Sequence, residues 1–216
     1  MTPAPKLELA ILISGRGSNM TALARACQAR TLAARVAVVI ADRDTAAGLA
    51  AARELGLATE IVAEPRDSMG FERALETTLE RYRPGAVALA GFMRVLSASF
   101  VARYLGRMFN IHPSLLPKYR GLHTHRRVLE AQEAEHGASV HFVTPELDAG
   151  PVVLQSRLRV RAGDTETSLA ARVLATEHLI YPRALGWFAA GRLAWRDGAA
   201  WLDARRLEAP IVEEFA

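Results

Sequence analysis

The sequence predicts an α/β domain: a mostly parallel central sheet with helices on both faces and a C-terminal hairpin. Three observations carry this reading. Short apolar runs alternate with amphipathic stretches along the first half of the chain, the pattern of repeated strand–helix units. The runs are apolar at nearly every position, as in strands covered on both faces. Each unit is closed by glycine, proline or a polar turn.

The elements follow in order. Leu7–Ser14 reads as a buried strand, broken only by Glu8, and a helix from about Met20 to Arg30 presents Met20, Leu23, Ala24 and Cys27 on one face. Val36–Ile40 is a second buried strand, Thr45–Leu55 a helix stopped by Gly56, and Thr59–Ala63 a third strand. Ser68–Tyr82 is amphipathic through Phe71, Leu75, Thr78 and Leu79, and Pro84 ends it. Ala86–Ala90, closed by Gly91, is a fourth strand. Ser97–Leu105 reads as a short helix, Met108–Ile111 as a short strand, and residues 113–122 as an ordered loop. Thr124–His136 is predicted helical with Gly137 as its stop. Ser139–Val143 and Val152–Val160 are strands around a loop holding Pro145, Gly150 and Pro151. Thr165 caps a long helix towards Ala190, kinked at Pro182. Arg192–Trp195 and Ala199–Leu202 form a hairpin through Asp197-Gly198, and the last dozen residues read as a loose tail.

Length and composition bound the function. The 216 residues suit one domain, with 50% hydrophobic and 23% charged residues, which excludes a disordered chain or a coiled coil. A single cysteine, Cys27, excludes an intramolecular disulfide and a cysteine-based zinc finger. The formal charge of +4 and pI near 9.7 come from arginines spread along the chain, without the basic, aromatic-laced stripe of a nucleic-acid binder. Small anions are the better fit. The apolar stretch Leu9–Ile13 is far short of the roughly 18 residues of a membrane span. The N-terminus carries Lys6 but no apolar segment with a cleavage site, so a cytoplasmic protein is expected.

Four constellations could carry chemistry. Ser14-Gly15-Arg16-Gly17-Ser18-Asn19 joins the first strand to its helix. Its glycines admit a ligand to the backbone, and the helix N-terminus offers unpaired N–H groups to an anion. The spacing is neither a Walker A loop nor a full Gly-x-Gly-x-x-Gly, since Met20 stands where the latter has its third glycine; a phosphosugar site is favoured over a plain turn with an Asn cap. Asn110 and His112 lie two apart at a strand end, hence on one side, where an open α/β sheet binds ligands. Asn110 can donate to a developing oxyanion and His112 can titrate near neutrality. Asp148, in the acidic loop Glu146–Pro151, matters only if folding brings it to His112, where it would complete an acid/base pair. Glu177 lies on the apolar stripe of the last long helix and requires a partner, either a buried arginine or a polar ligand group. His112, His123, His125 and His141 fall on several elements without zinc-site spacing, so no metal is expected.

These residues sit in motifs that resemble a known family. Ser14–Asn19 (SGRGSN), Ala90–Leu96 (AGFMRVL), Asn110–Tyr119 (NIHPSLLPKY), Gly121–His125 (GLHTH), His136–Val143 (HGASVHFV), Leu147–Pro151 (LDAGP) and Glu177–Pro182 (EHLIYP) are similar to the phosphoribosylglycinamide formyltransferases, folate-dependent enzymes of purine synthesis. The resemblance runs from Leu9 to about Leu207. It implies a Rossmann-like formyltransferase fold over residues 1–216, with a phosphosugar-binding half to about 105 and a catalytic and folate-binding half from about 106. It implies formyl transfer from 10-formyltetrahydrofolate to the amine of glycinamide ribonucleotide, without a metal. Asn110, His112 and Asp148 would be catalytic. Gly17, Ser18, Asn19 and Glu177 would bind the ribonucleotide, and Met69, Met93, Arg94, Val95, Leu96 and Asn110 the folate. Two departures stand out: Met69 replaces an arginine of close relatives, and Ala149 a glycine common in the acidic loop. The expected partners are these small molecules, with a homodimer allowed and no nucleic acid or membrane.

Rival readings are fewer. A tRNA-directed formyltransferase would carry an added C-terminal domain, and a formyltetrahydrofolate hydrolase an added N-terminal one; length disfavours both. A non-catalytic phosphosugar-binding module would bind without turnover.

Overall fold

The computed structural model describes residues 7–63 and 67–216; Lys6 lies outside them. The chain runs β1 (Leu7–Ile13), α1 (Ser18–Gln28), β2 (Ala34–Ala41), α2 (Gly48–Glu54), β3 (Thr59–Ile61), α3 (Ser68–Tyr82), β4 (Ala86–Leu89) and α4 (Ala98–Arg103). It continues through β5 (Met108–His112), α5 (Thr124–Glu130), β6 (Glu135–Phe142), β7 (Val152–Arg159) and α6 (Glu166–Ala189). Four further strands follow: β8 (Leu193–Arg196), β9 (Ala199–Leu202), β10 (Arg205–Arg206) and β11 (Ile211–Phe215).

Eight strands form one sheet in the order β11-β7-β6-β5-β4-β1-β2-β3. Only β6 runs against the others, pairing antiparallel with β5 and β7. This matches the predicted mostly parallel sheet. Alternate residues of β1 divide between two cores, as the period of a strand requires. Leu9, Ile11 and Ile13 join one core with Leu23 of α1 and Val173 and Ile180 of α6. Ala10 and Leu12 join the other with Phe71 and Leu75 of α3 and Phe100 of α4. The chain leaves β1 for β2 and β3 on one side, then crosses to β4 and β5 on the other. The crevice between β1 and β4 is therefore the switch point of the sheet, where α/β folds place ligands.

Three expectations are corrected. The predicted helix Thr124–His136 ends at Glu130, and β6 begins at Glu135. Gly137 is not a helix stop but a strand glycine, because a Cβ there would lie 1.8 Å from the Ser156 carbonyl oxygen of β7. The tail is not loose: β11 pairs in parallel with β7, and ion pairs Arg157–Glu214 and Arg183–Glu213 fasten it. Asn19 does not cap α1. Gly17 takes the cap position in the left-handed region at φ 73°, with no side-chain cap bond. A Cβ on Gly17 would also meet the Gly48 Cα at 2.8 Å, so glycine is required twice over. The hairpin stands as read, Asp197 and Gly198 both having positive φ as a type I′ turn demands. β10 extends it to a separate three-stranded sheet.

The glycine at 137 gives a first prediction. Gly137→Ala should cost about 3 kcal/mol, because a strand carbonyl must move to admit one methyl group. The denaturant midpoint of the variant should fall clearly below that of the parent. An unchanged midpoint would show that β6 and β7 separate freely.

Candidate active site

Asn110 and His112 leave the end of β5 on the same side, as their spacing predicts, and both line a cavity of about 540 Å³. Asp148 reaches them from the loop between β6 and β7, its backbone in the left-handed region at φ 48°, which Asp tolerates better than most residues. The Asp148 Oδ2 lies 3.3 Å from His112 Nδ1 and accepts a hydrogen bond from the Gly121 N–H at 2.9 Å. Its Oδ1 lies 3.5 Å from Asn110 Nδ2. The fold thus joins the three side chains that the sequence could only nominate. On its other side, His112 Nε2 is 2.9 Å from the Tyr119 carbonyl oxygen. Both ring nitrogens face acceptor oxygens, the Asp148 carboxylate at Nδ1 and the Tyr119 carbonyl at Nε2.

His141, absent from the expected site residues, is a member of this group. Its Nδ1–H donates to the Phe142 carbonyl at 2.8 Å, which leaves Nε2 to accept from Asn110 Nδ2 at 3.2 Å. Burial lowers its pKa to about 4 against the opposing pull of that backbone bond and of Asp148. It is neutral at physiological pH, so its 3.8 Å approach to Asp148 is not an ion pair. It orients the Asn110 amide. The signal for it was faint: Ser139 and His141 are polar at period two, alternating with the apolar Ala138, Val140 and Phe142.

The remaining expected residues divide into three places. Met93, Arg94, Val95 and Leu96 line the cavity, and Leu122 and Leu147 add to its apolar wall. Ser14 anchors this segment by accepting from the Met93 N–H at 2.8 Å. Arg94 stacks on Phe71 at 3.9 Å and sits 3.8 Å from Asp42. Met69, by contrast, is 73% exposed in the first turn of α3 and does not line the cavity. Gly17, Ser18 and Asn19 form the start of α1, where Asn19 Nδ2 donates to Glu177 Oε2 at 2.6 Å. Glu177 therefore has an Asn partner and not a buried arginine. Burial raises its carboxyl pKa, and the Asn19 bond only partly offsets this. Among the described residues, no three His, Cys, Asp or Glu are grouped to hold a metal ion, and no helix is long and apolar enough to cross a membrane.

Beside the cavity, His125 Nδ1 meets His136 Nε2 at 2.9 Å, tying α5 to β6. Burial lowers both pKa values, that of His136 to about 4. Their folded values lie below the unfolded value of about 6.5, so the unfolded chain binds more protons between those limits. The stability contribution is complete above pH 6.5 and is lost as pH falls towards 4. Urea unfolding should show stability falling between pH 7 and 4.5, by roughly 2 kcal/mol from His136 alone, and His136→Asn should lose less over that range. Equal pH dependence in both proteins would remove the pair from the account.

Comparison with known proteins places this geometry. A sequence profile described as formyl transferase matches residues 7–185. The phosphoribosylglycinamide formyltransferase of Escherichia coli K12 is 50% identical over 203 residues, covering 93% of this chain and 96% of that one. That of Haemophilus influenzae is 37% identical over 202 residues, covering 93% and 95%. The structure of the Coxiella burnetii phosphoribosylglycinamide formyltransferase superposes with a TM-score of 0.92 at 46% identity, covering 96% of this chain and 99% of that one.

Proposed function

The chain belongs to the formyl transferase family, with the phosphoribosylglycinamide formyltransferases as its relatives over nearly its whole length, and we propose that it performs their reaction. It transfers a formyl group from 10-formyltetrahydrofolate to the amine of glycinamide ribonucleotide, a step of purine synthesis. The observation that carries this reading is the Asn110–His112–Asp148 group at the floor of an apolar cavity. The cavity wall is more apolar than polar, as suits an aromatic ring system.

When bound, 10-formyltetrahydrofolate supplies the formyl carbon as the electrophile. The residues of the chain supply the rest. Asn110 Nδ2–H and the His112 imidazolium donate to the formyl oxygen as negative charge builds there. For His112 Nε2 to do so, the Tyr119 carbonyl must give way to the substrate oxygen. Asp148 holds the imidazolium and takes the proton that the attacking amine loses, then delivers it to the departing folate nitrogen, directly or through water. One N–C bond forms and one breaks, and no Ser or Cys nucleophile is required. Gly17, Ser18, Asn19 and Glu177 hold the ribonucleotide, and Met93 to Leu96 line the folate slot. Met69, exposed beyond the cavity, would offer the folate tail no charge.

A turnover assay with purified protein and both substrates, followed by the absorbance of deformylated folate, tests this reading. The rate should require both substrates. A folded protein that binds glycinamide ribonucleotide without turnover would be a binding module instead.

A further inference from the structure

The SGRGSN loop contains a cation that the site described so far leaves unused. Gly15 and Arg16 are exposed between β1 and α1, while Gly17 and Asn19 are buried. The loop is held from behind, since the Gly48 N–H donates to the Gly15 carbonyl at 2.9 Å. Its shape is therefore set by backbone, and Arg16 has no part in maintaining it. Among the described residues Arg16 makes no ion pair and no side-chain hydrogen bond.

Two features of the neighbouring turn point to a ligand. The first turn of α1 has neither a side-chain cap nor an acidic residue, so its N–H groups are open to an anion. The Asn19 Oδ1 is buried without a partner, in a side chain only 7% exposed. Such an atom requires a donor from outside the chain. A ribonucleotide has both parts: sugar hydroxyls that donate, and a phosphate for the helix N-terminus.

The charge balance then decides the role of Arg16. A helix N-terminus offers the equivalent of about half a positive charge, against a phosphate monoester of nearly two negative charges. The arginines at the neighbouring strand ends are committed elsewhere. Arg43 is paired with Asp42 through two hydrogen bonds, at 3.0 and 3.1 Å. Arg94 is stacked on Phe71 beside the same carboxylate. Arg16 is one residue, about 3.8 Å along the Cα trace, from Gly17. Its guanidinium can fold over an anion seated on the turn and match two phosphate oxygens at once.

We propose that Arg16 clamps the phosphate of the ribonucleotide substrate and selects for phosphorylated acceptors. This rests on the proposed function and adds a specificity residue to it. In steady-state kinetics Arg16→Ala should raise KM for glycinamide ribonucleotide about tenfold or more, with kcat within twofold and the folate KM unchanged. Arg16→Lys should recover part of the loss. With the acceptor lacking its phosphate, parent and Arg16→Ala should react alike. An unchanged ribonucleotide KM in Arg16→Ala, or an equal loss on the dephosphorylated acceptor, overturns the proposal while leaving the function intact. Absence of ribonucleotide turnover in the parent overturns the functional reading, and this proposal with it.

Discussion

Asp148→Asn should fold like the parent and lose about 10³-fold in kcat, the scale expected when a positioned acid/base group is removed. The change is nearly isosteric, so packing and the left-handed backbone at 148 are retained. The charge is not. A neutral amide beside His112 Nδ1 no longer favours the imidazolium, and it cannot take the proton released by the attacking amine. The Gly121 N–H still finds an oxygen in one orientation of the amide, which keeps the 119–121 segment in place. Unfolding curves should therefore superpose while turnover collapses. Near-parental kcat would remove Asp148 from the mechanism.

Asn110→Ala should lower kcat by 10²- to 10³-fold with smaller changes in either KM, because it removes a donor that acts on charge developing in the transition state. The cost has a second source here. Asn110 Nδ2 is also the donor to His141 Nε2, so the variant leaves a buried imidazole nitrogen without its partner. Asn110→Ala should consequently lose stability as well as rate, on the order of 1–3 kcal/mol. Denaturant unfolding beside steady-state kinetics reads both effects. A variant with a raised KM and an intact kcat would make Asn110 a binding residue and nothing more.

The two predictions concern residues that were visible in the sequence to different degrees. Asn110 and His112 were legible together, because the period of a strand places residues two apart on one side and the strand end is where this fold class binds ligands. Asp148 was only conditional: it is 38 residues from Asn110 along the chain, and nothing local says that its loop returns to β5. The resemblance to a family supplied that link, and the structure gives it a geometry. His141 was weighed only as a metal ligand, and the Tyr119 carbonyl was not nominated at all. A buried histidine accepting from a side chain on the next strand looks, from sequence, like any strand histidine, and a backbone carbonyl has no signature.

The fold shows the same division between local and distant causes. Helix α3 was placed to the residue, since its amphipathic stripe and the Pro84 that ends it are local; the structure adds an Asp67 cap and a left-handed Arg83. The extent of α5 was overestimated because Gly137 resembles a helix stop. Its actual cause, the Ser156 carbonyl against which no Cβ fits, lies 19 residues away in sequence. β11 was missed for a similar reason. Ile211–Phe215 is short, with two acidic residues in five, and it becomes a strand only because β7 offers it an edge. Such contacts depend on the finished sheet, not on the segment.

The central claim is that the Asn110–His112–Asp148 site passes a formyl group directly to the amine of glycinamide ribonucleotide. It is tested most directly with 10-formyltetrahydrofolate labelled in the formyl carbon, following the label with and without the ribonucleotide. The account predicts one label in the formylated ribonucleotide for each folate consumed, none on the protein, and negligible folate consumption when the amine is withheld. Label released as formate at an undiminished rate without the amine would contradict it and mark the chain as a hydrolase.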